Sequence, residues 1–237
     1  MIALTFALPQ ESAALVAMLH GVEQVERGSL PVLRGNLAAS EVMVLHTGVG
    51  AQLSETRVAR FLERHRPQIL ISAGFAGGLD PKLNIGDIVF AENFSDDALL
   101  GKMRDLQLAG ARIFFGMLTT QPHAAETVEE KAALFRATAA LAVDMETAGI
   151  RAHCEKFSVP MLSVRAISDT ASQRLPVPFP AWFDAKKQTP RIGGLLWFLA
   201  RHPEVIAEFT RFARGTFRAR RTLADCLALA VEAIELD

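Results

Sequence analysis

Cysteine is scarce in this chain: only two of its 237 residues, Cys154 and Cys226, carry a thiol. They lie far apart in the sequence, and neither belongs to a CxxC pair or to another spacing typical of metal ligands. A disulfide-stabilised scaffold and a structural zinc site are therefore not expected. Reduced thiols in a cytoplasm are the simpler interpretation, and we predict a cytoplasmic location.

Charge of one sign and long apolar runs are also lacking. The formal net charge is −1, so the overall charge does not indicate a nucleic-acid partner. No apolar run reaches the roughly 18 residues that a membrane-spanning helix needs, and the stretch GGLLWFLA at 193–200 is too short. The first segment, MIALTFALPQES, has neither the basic region nor the long apolar stretch of a signal peptide. We therefore expect a soluble protein.

What the sequence does contain is a regular alternation of short apolar runs and helical patterns. Half of its residues are hydrophobic, which is enough for one large domain with a sizeable core. The predicted strands are 2–8, 41–47, 68–72, 86–91, 111–116, 141–143 and 160–167, and the predicted helices are 11–19, 51–65, 128–139, 147–156 and the chain from about 191. This alternation is typical of an α/β domain with a largely parallel sheet covered on both faces. We predict one domain over 1–237, with a core at about 1–170 and a helical extension at about 191–237.

Three carboxylates, Glu11, Glu146 and Asp169, follow predicted strands. Ligands of open α/β sheets bind beyond the carboxyl ends of the strands, and such a trio can supply a base, a group that binds hydroxyls and an acid. Glu146 is the hardest to explain structurally, because it lies among apolar neighbours where a strand is followed by a helix. A buried carboxylate costs several kcal/mol unless the protein or a ligand satisfies it.

The other features at strand ends also have purely structural interpretations. Glu11 can be a first-turn acid that the helix dipole favours, and Asp169 can be a cap or turn residue. The glycines of 48–50 form either an anion-binding nest or a tight turn. The glycines of 74–78 indicate a close approach of the backbone to a neighbour.

Five segments in order resemble the nucleoside phosphorylase/nucleosidase family: ALPQES (7–12), TGVG (47–50), SAGFAGGLDPKLNIGDIVFAE (72–92), AVDMETAGI (142–150) and VRAISDTAS (164–172). The nearest resemblance is to the methylthioadenosine/S-adenosylhomocysteine nucleosidases. It implies a three-layer α/β/α sandwich around a mixed, largely parallel sheet, here with extra C-terminal helices. It also implies a homodimer, a small-molecule nucleoside as ligand, cleavage of an N-glycosidic bond, and neither a metal ion nor an organic cofactor.

The resemblance also implies a role for each carboxylate. Asp169 matches the aspartate that donates a proton to N7 of the purine, and Glu146 matches the glutamate that holds the ribose hydroxyls. Met145 matches the methionine that packs on the sugar, and Glu11 the glutamate that activates the attacking water. A carboxylate beside the ribose stabilises the positive charge that develops on the sugar as the bond breaks.

Further residues of the matching segments fall next to these positions. Arg165 and Ser168 match residues close to the nucleophile. We predict substrate contacts for Gly74, Phe75 and Val143, and a nucleophile or anion site at the amides of Gly48 and Gly50. His46 and His123 are isolated in the sequence, and we predict structural or surface roles for both.

Three departures separate the chain from the nucleosidases it resembles. Phe75 stands where those enzymes tend to carry a small hydroxylated residue. The stretch between Glu92 and Gly116 is short, and TTQPHAAE at 119–126 lacks the usual aromatic contact to the base. The sequence therefore does not predict which residues recognise the base.

The attacking nucleophile is either water or phosphate. Phosphate needs cationic partners, usually arginine together with backbone amides. Typical phosphorylases of the family carry an arginine just before the glycine-rich turn, where this chain has Ile71 and Ser72. Arg165 with the amides of 48–50 is an alternative anion site. The missing arginine together with Glu11 favours hydrolysis, and phosphate-dependent cleavage is the alternative.

The segment from Arg191 mixes Leu, Trp and Phe with arginines at 201, 211, 214, 218, 220 and 221. Such a stretch can lie on an anionic membrane surface, or it can be a solvated helix face or a subunit contact. Together with GFAGGLD, it resembles the hopanoid-associated phosphorylases, which act on a lipid-linked adenosine. A protein that binds nucleosides without chemistry is a third possibility, but such a protein needs no proton donor at Asp169.

Overall fold

The computed structural model describes residues 1–28, 30–184 and 188–235. Its strands are β1 (Ile2–Phe6), β2 (His20–Glu26), β3 (Val32–Leu37), β4 (Ser40–His46), β5 (Ile69–Gly78), β6 (Ile88–Ala91), β7 (Ile113–Gly116), β8 (Leu118–Thr120), β9 (Ala142–Asp144), β10 (Met161–Asp169), β11 (Phe183–Asp184) and β12 (Thr189–Pro190). Its helices are α1 (Pro9–Val16), α2 (Ala51–His65), α3 (Asp97–Met103), α4 (Val128–Thr138), α5 (Thr147–Lys156), α6 (Phe179–Trp182), α7 (Ile192–Arg201) and α8 (Ile206–Glu235), with 3₁₀ turns at Glu92–Phe94 and Pro203–Val205.

A single mixed sheet of ten strands forms the centre of the fold. Eight of them follow the order β2-β3-β4-β1-β5-β10-β6-β7, while β9 pairs with the end of β5 and β8 pairs with β9. The central strands β4, β1, β5 and β10 are parallel to one another, so their carboxyl ends meet at the same edge of the sheet. Asp169 is the last residue of β10 and Asp144 the last of β9 at this edge.

Helices cover both faces of the sheet, which confirms the predicted three-layer α/β/α sandwich around a mixed, largely parallel sheet. On one face, α2 and α5 bury Phe61 and Ile150 against β1 and β5. On the other face, α1, α3 and α8 bury Leu15, Leu100 and Leu227. Burial of apolar surface on both faces explains why the central strands are apolar along their whole length.

The long helix α8 belongs to the core as well as to the C-terminal part of the chain. Its second half buries Leu223, Leu227 and Val231 in the same apolar cluster as the central strands. The predicted limit of the core at about residue 170 is therefore wrong, because the sheet face needs α8 to cover it. The helix preceding it, α7, buries none of its residues fully and exposes Ile192, Leu196 and Trp197. None of the described helices is both long and apolar enough to cross a membrane.

The sheet differs from the sequence prediction at β2, β3 and β8, where no strand was predicted, and at the segment 74–78. The antiparallel pair β2–β3 was not predicted, because the side chains of β2 are almost all exposed and its sequence HGVEQVE has no apolar face. The glycine-rich segment 74–78 lies inside β5 and not after it, since Gly74 pairs with Arg165 on β10 and Gly77 with Val143 on β9. Glycine is needed there because strands and side chains approach closely, not because the chain turns.

Candidate active site

The carboxyl ends of β1, β5, β9 and β10 open into a cavity of about 460 Å³. Glu11, Glu146 and Asp169 all line it, so the three carboxylates predicted at strand ends do meet in one site. Four further residues predicted at the substrate or nucleophile site line the same cavity: Phe75, Val143, Met145 and Ser168. Gly74 and Arg165 instead line a much smaller space beneath it.

Glu11 is held in the first turn of α1 by two backbone amides. Its Oε2 accepts a hydrogen bond from the N–H of Leu8 at 2.9 Å, and its Oε1 accepts one from the N–H of Phe75 at 3.2 Å. Glycine at position 74 permits this approach, because a Cβ there would lie 3.3 Å from Oε1. Burial raises the pKa of Glu11, and the two amides and the charge of Arg165 offset part of the rise. A raised pKa suits a carboxylate that takes a proton from water.

Glu146 lies directly before α5, two residues after the end of β9. Its Oε1 accepts a hydrogen bond from the N–H of Gly50 at 2.9 Å. Burial raises the pKa of Glu146 to about 8, and the negative charges of Asp144 and Glu11 act in the same direction. Across residues 1–28, 30–184 and 188–235, this amide is the one hydrogen-bond donor found on the carboxyl group. The group therefore keeps lone pairs for donors from a ligand.

Asp144, by contrast, is satisfied entirely by the protein. Its Oδ2 accepts from Nε and Nη2 of Arg165 at 3.1 and 3.0 Å, and from the backbone N–H and the hydroxyl of Thr147. Its Oδ1 accepts from the hydroxyl of Thr120 at 2.8 Å. The two carboxylates of the segment AVDMETAGI thus have different tasks: Asp144 holds the site together, and Glu146 faces the cavity.

Arg165 uses its N–H groups within the protein. Besides Asp144, it donates from Nη1 to the carbonyl oxygens of Ser72 and Val164 at 2.7 and 2.8 Å, and from Nη2 to the hydroxyls of Ser72 and Thr147. Its side chain is 4 % exposed. The alternative prediction of an anion site on this arginine is therefore wrong, because these acceptors already match the five N–H groups of the guanidinium.

The amides of 48–50 are likewise occupied. The N–H of Gly48 donates to the carbonyl of Ala7 at 3.0 Å, that of Val49 to Oε1 of Gln188 at 2.8 Å, and that of Gly50 to Glu146. The predicted nucleophile or anion site at Gly48 and Gly50 is therefore corrected. The positive φ angles of both glycines, 80° and 95°, belong to a turn whose donors the protein itself fills.

A second, much smaller cavity of about 10 Å³ lies between Glu11, Glu146 and Arg165. Gly74 forms part of its wall and lies against Glu11, and its predicted substrate contact stays a prediction. A space of this size accommodates about one water molecule and is too small for a phosphate ion.

Asp169 is buried, 4 % exposed, and both of its oxygens have partners. Its Oδ1 accepts a hydrogen bond from the hydroxyl of Ser168 at 2.6 Å, and its Oδ2 contacts the ammonium group of Lys131 on α4. Lys131 is itself fully buried. Lys131 was not among the predicted site residues.

The two isolated histidines differ in position. His46 is buried, and its Nε2 lies 2.8 Å from the hydroxyl of Ser12. Burial, assisted by the charge of Arg57, lowers the pKa of His46 to about 4, so this histidine is neutral and structural, as predicted. His123 is exposed but lines the main cavity together with Ala124 and Ala125, so the prediction left out its place at the site.

Replacing Arg165 by Met is expected to destabilise the fold strongly. It leaves Asp144 as a buried charge without its cationic partner, a loss of about 3–5 kcal/mol that lowers the melting temperature by roughly 10 °C. The fall in melting temperature is measured by thermal denaturation followed by circular dichroism. Arg34→Met, which removes exposed pairs with Glu23 and Glu41, is the matched control and should leave the melting temperature nearly unchanged. Equal losses in the two variants would contradict the structural role of Arg165.

Comparison with known proteins identifies the family. The family model described as the phosphorylase superfamily matches residues 1–105 and 90–189, which is more than half of the chain. The chain belongs to the phosphorylase superfamily. The matched segments contain Glu11, Glu146 and Asp169, and α7 and α8 follow the matched region.

Solved structures with the same fold cover nearly the whole of this chain. A 5′-methylthioadenosine/S-adenosylhomocysteine nucleosidase from Streptococcus pneumoniae, solved with the transition-state inhibitor MT-ImmA, matches with a TM-score of 0.75 at 21 % identity, covering 99 % of each chain. One from Colwellia psychrerythraea, in complex with adenine, has a TM-score of 0.76 at 19 % identity, covering 98 % of this chain and 94 % of that one. The Streptococcus pyogenes nucleosidase, in complex with 5-methylthiotubericidin, has a TM-score of 0.76 at 21 % identity, covering 99 % and 97 %.

Two parts of the site in this superfamily member escaped the sequence analysis. Lys131 had a recognisable signal, because it lies three and four positions before Leu134 and Phe135, on the same side of α4. The wall formed by α8 had a weaker one, since its cavity-lining residues repeat at helical spacing: Phe209, Phe212, Ala213, Thr216 and Arg220. Neither sequence signal indicates a site until the positions of α4 and α8 in the fold are known.

Proposed function

We propose that this protein is a nucleosidase that hydrolyses the N-glycosidic bond of a purine nucleoside, with adenine 5′-thio nucleosides as the first substrates to test. The observation that carries the proposal is the small cavity between Glu11 and Glu146, which has room for about one water molecule. The similar structures that hold adenine or methylthio-nucleoside analogues support an adenine nucleoside in the adjoining large cavity.

We assign each carboxylate one step of the reaction. Asp169 supplies a proton to N7 of the base while the electron pair of the C–N bond moves onto the base. Glu146 accepts hydrogen bonds from the ribose hydroxyls, which favour its ionised form, and its charge stabilises the cation that develops on the sugar. Glu11 takes a proton from the water molecule that adds to that cation.

Water is favoured over phosphate because the groups that would hold an anion are already used. The amides of 48–50 donate to protein acceptors, and Arg165 is fully engaged with Asp144, Ser72 and its other partners. A phosphate in the small space would lie against Glu11 and Glu146, and the guanidinium of Arg165 in its wall already donates to protein acceptors. Repulsion of like charges would oppose its binding.

Base release from methylthioadenosine, S-adenosylhomocysteine, adenosine and inosine, each with and without phosphate, tests the proposal. We expect free adenine and a free sugar from the thio nucleosides, at a rate that phosphate does not change. Release that requires phosphate and yields ribose 1-phosphate products would overturn hydrolysis. Tight binding of nucleoside without any base release would indicate a binding protein and would overturn the enzyme assignment.

Glu11→Gln is expected to lower kcat by about 10²–10⁴-fold, because the amide cannot take the proton from water. KM should change little, since the amide keeps the size of the side chain and an oxygen that can accept from Leu8 or Phe75. Steady-state kinetics with methylthioadenosine measures both constants. Glu23→Gln on the exposed strand β2 is the control. A kcat within about two-fold of the wild type would remove Glu11 from the reaction.

A lipid-linked adenosine is the second candidate substrate, and the outer wall of the cavity favours it. That wall is formed by apolar side chains of the segment after β10 and of the C-terminal helices: Leu175, Pro176, Val177, Trp182, Phe183, Leu195, Phe209 and Phe212. Such a wall suits a long apolar 5′-substituent. A kcat/KM for an adenosylhopane-type substrate above that for methylthioadenosine would support it, and no turnover of the lipid would exclude it.

The exposed apolar face of α7 supports either a homodimer contact or peripheral contact with a membrane. Ile192, Leu196 and Trp197 are each at least 60 % exposed, and Arg201 stacks on the Trp197 ring at 4.7 Å. We favour the homodimer and a cytoplasmic location. Sedimentation equilibrium of the full chain should give twice the monomer mass. Co-sedimentation with anionic vesicles, together with a monomer mass, would instead support membrane contact.

A further inference from the structure

Lys131 is the one residue of α4 that is buried, and its ammonium group lies beside the acid. Fully buried lysines are rare, because removing the charge from water is costly unless it is paired and hydrogen-bonded. Here Nζ contacts Oδ2 of Asp169 and donates to the carbonyl oxygens of Thr170 and Gln173 at 2.9 and 2.7 Å. All three partners lie at the end of β10 or in the turn that follows it.

The three partners of Lys131 determine its charge. An ammonium has three N–H donors and no acceptor, which matches three oxygen acceptors. A neutral amine would turn its lone pair toward one of those oxygens. The lysine is therefore charged. The other oxygen of Asp169, Oδ1, accepts a hydrogen bond from the hydroxyl of Ser168. A carboxyl group with a donor on each oxygen, one of them cationic, is an ionised carboxylate.

An ionised Asp169 is poorly matched to a purine. N7 of adenine is a hydrogen-bond acceptor, so it would face a second acceptor across the contact. A proton placed on the carboxylate converts the contact into an O–H···N hydrogen bond and provides the proton that the reaction needs. Binding of the base and protonation of Asp169 are thus linked.

We propose that Lys131 is a positioning residue that holds Asp169 oriented and ionised until the base of a purine nucleoside binds, so that binding takes up a proton from solvent. The inference rests on the proposed nucleosidase function. As the C–N bond breaks, the Asp169 O–H bond breaks and the N7–H bond forms. The electron pair stays on Asp169, where the ammonium of Lys131 stabilises the carboxylate.

Glycine at position 77 makes room for this pair. A Cβ at that position would lie 3.2 Å from Oδ2 of Asp169 and 3.8 Å from Cε of Lys131. The glycine of β5 thus lets the helix α4 bring its lysine to the end of β10. The capping box of α4, in which the hydroxyl of Thr127 accepts from the N–H of Glu130, fixes the start of the helix one turn before the lysine.

Other titratable groups also face the cavity, and they affect a pH profile in different ways. They come from α1, the end of β9, the loop before α4 and α8: Glu11, Asp144, Glu146, His123 and Arg220. In the enzyme–substrate complex, Glu11 and Glu146 act ionised and Asp169 acts protonated. The pH profile of kcat reports that complex, so loss of activity at low pH belongs to the two glutamates and loss at high pH to the acid. In the free enzyme the pKa of Glu146 is about 8, so the profile of kcat/KM does not separate these groups.

The test compares pH profiles of kcat for the wild type and Lys131→Met, because kcat reports the complex in which the base is bound. Without the ammonium, the pH at which kcat has fallen to half on the alkaline side should rise by one unit or more, because no neighbouring cation favours loss of the proton that the base contact needs. The maximal kcat should fall about ten-fold, since no cation stabilises the carboxylate that forms. Lys131→Gln, which keeps donors for the two carbonyls but no charge, should shift the limb in the same direction if the Met variant does not fold.

Lys156→Met, at the exposed end of α5, is the matched control and should leave the profile unchanged. An alkaline limb that stays in place or moves to lower pH in both Lys131 variants would overturn the inference while the wild type still cleaves nucleosides. Absence of cleavage in the wild type would instead overturn the proposed function.

Calorimetry of adenine binding provides a readout that needs no turnover. Titrations in buffers of different ionisation enthalpy count the protons taken up per adenine bound. We expect close to one proton for the wild type near neutral pH, and less than half as many for Lys131→Met. Equal proton uptake in the two proteins would overturn the inference.

Discussion

Asp169→Asn is expected to abolish nucleoside cleavage and, at the same time, to destabilise the fold. The amide has no proton to give to N7, which should lower kcat/KM by at least about 10³-fold. The amide also leaves the buried ammonium of Lys131 without a counter-charge, which should cost about 3–5 kcal/mol and lower the melting temperature by roughly 10 °C.

The two effects separate in the double variant Asp169→Asn/Lys131→Met. Removing the unpaired ammonium should restore most of the lost melting temperature, because a neutral amide and an apolar side chain leave no buried charge. Activity should stay at the level of the single Asn variant. Thermal denaturation and base release measure the two outcomes, and wild-type activity in Asp169→Asn would exclude the assigned acid.

Glu146→Gln is expected to abolish most activity while making the protein more stable at high pH. The lost charge should lower kcat by about 10²–10³-fold, because the sugar cation is no longer stabilised. The stability effect follows from the pKa of Glu146, which burial raises from 4.5 to about 8. The folded state therefore holds the proton more tightly than the unfolded chain does.

The sign of the pH dependence is fixed by that difference. The contribution of protonated Glu146 to stability is complete below pH 4.5 and is lost as the pH rises to about 8. The Gln variant stays neutral throughout. Its melting temperature should equal that of the wild type at low pH and exceed it by roughly 5 °C or more at about pH 9. A Gln variant that is less stable than the wild type at about pH 9 would contradict the burial of an unsatisfied carboxyl group.

The sequence was sufficient for the residues whose position follows from a strand end. Asp169 ends β10, Glu146 follows the end of β9 by two residues, and Glu11 lies in the helix after β1. Parallel pairing with β5 brings the ends of β1 and β10 to one edge, and β9 pairs antiparallel with the end of β5 beside them. The partners of these carboxylates were less accessible. Lys131 reaches Asp169 across 38 positions, and Arg165 reaches Asp144 across 21, so each pairing depends on how elements pack.

The predicted anion site at 48–50 shows a different limit of prediction from sequence. The glycines correctly predicted a turn with unusual backbone angles. Whether its amides are free depends on Gln188 and Glu146, which lie 139 and 96 positions away from their amide partners. A glycine pattern predicts where donors point, but not what already accepts from them.

Prediction of the fold from the sequence has a similar limit. The apolar strands β1, β4, β5 and β10 were recognisable because both faces of the sheet are covered. The strand β2 was not, because its side chains face solvent and only its backbone pairing with β3 holds it in the sheet. The role of α8 in the core was also missed, since a basic amphipathic pattern describes its first half better than its second.

The position of α8 has a consequence for synthesis of the protein. Its first half lines the cavity with Phe209 and Phe212, and its second half covers the sheet with Leu223 and Leu227. Chains are made from the N-terminus, so every strand of the sheet leaves the ribosome before this helix does. A nascent chain therefore carries Glu11, Glu146 and Asp169 before the cavity has its outer wall, and one apolar face of its sheet stays uncovered until α8 emerges.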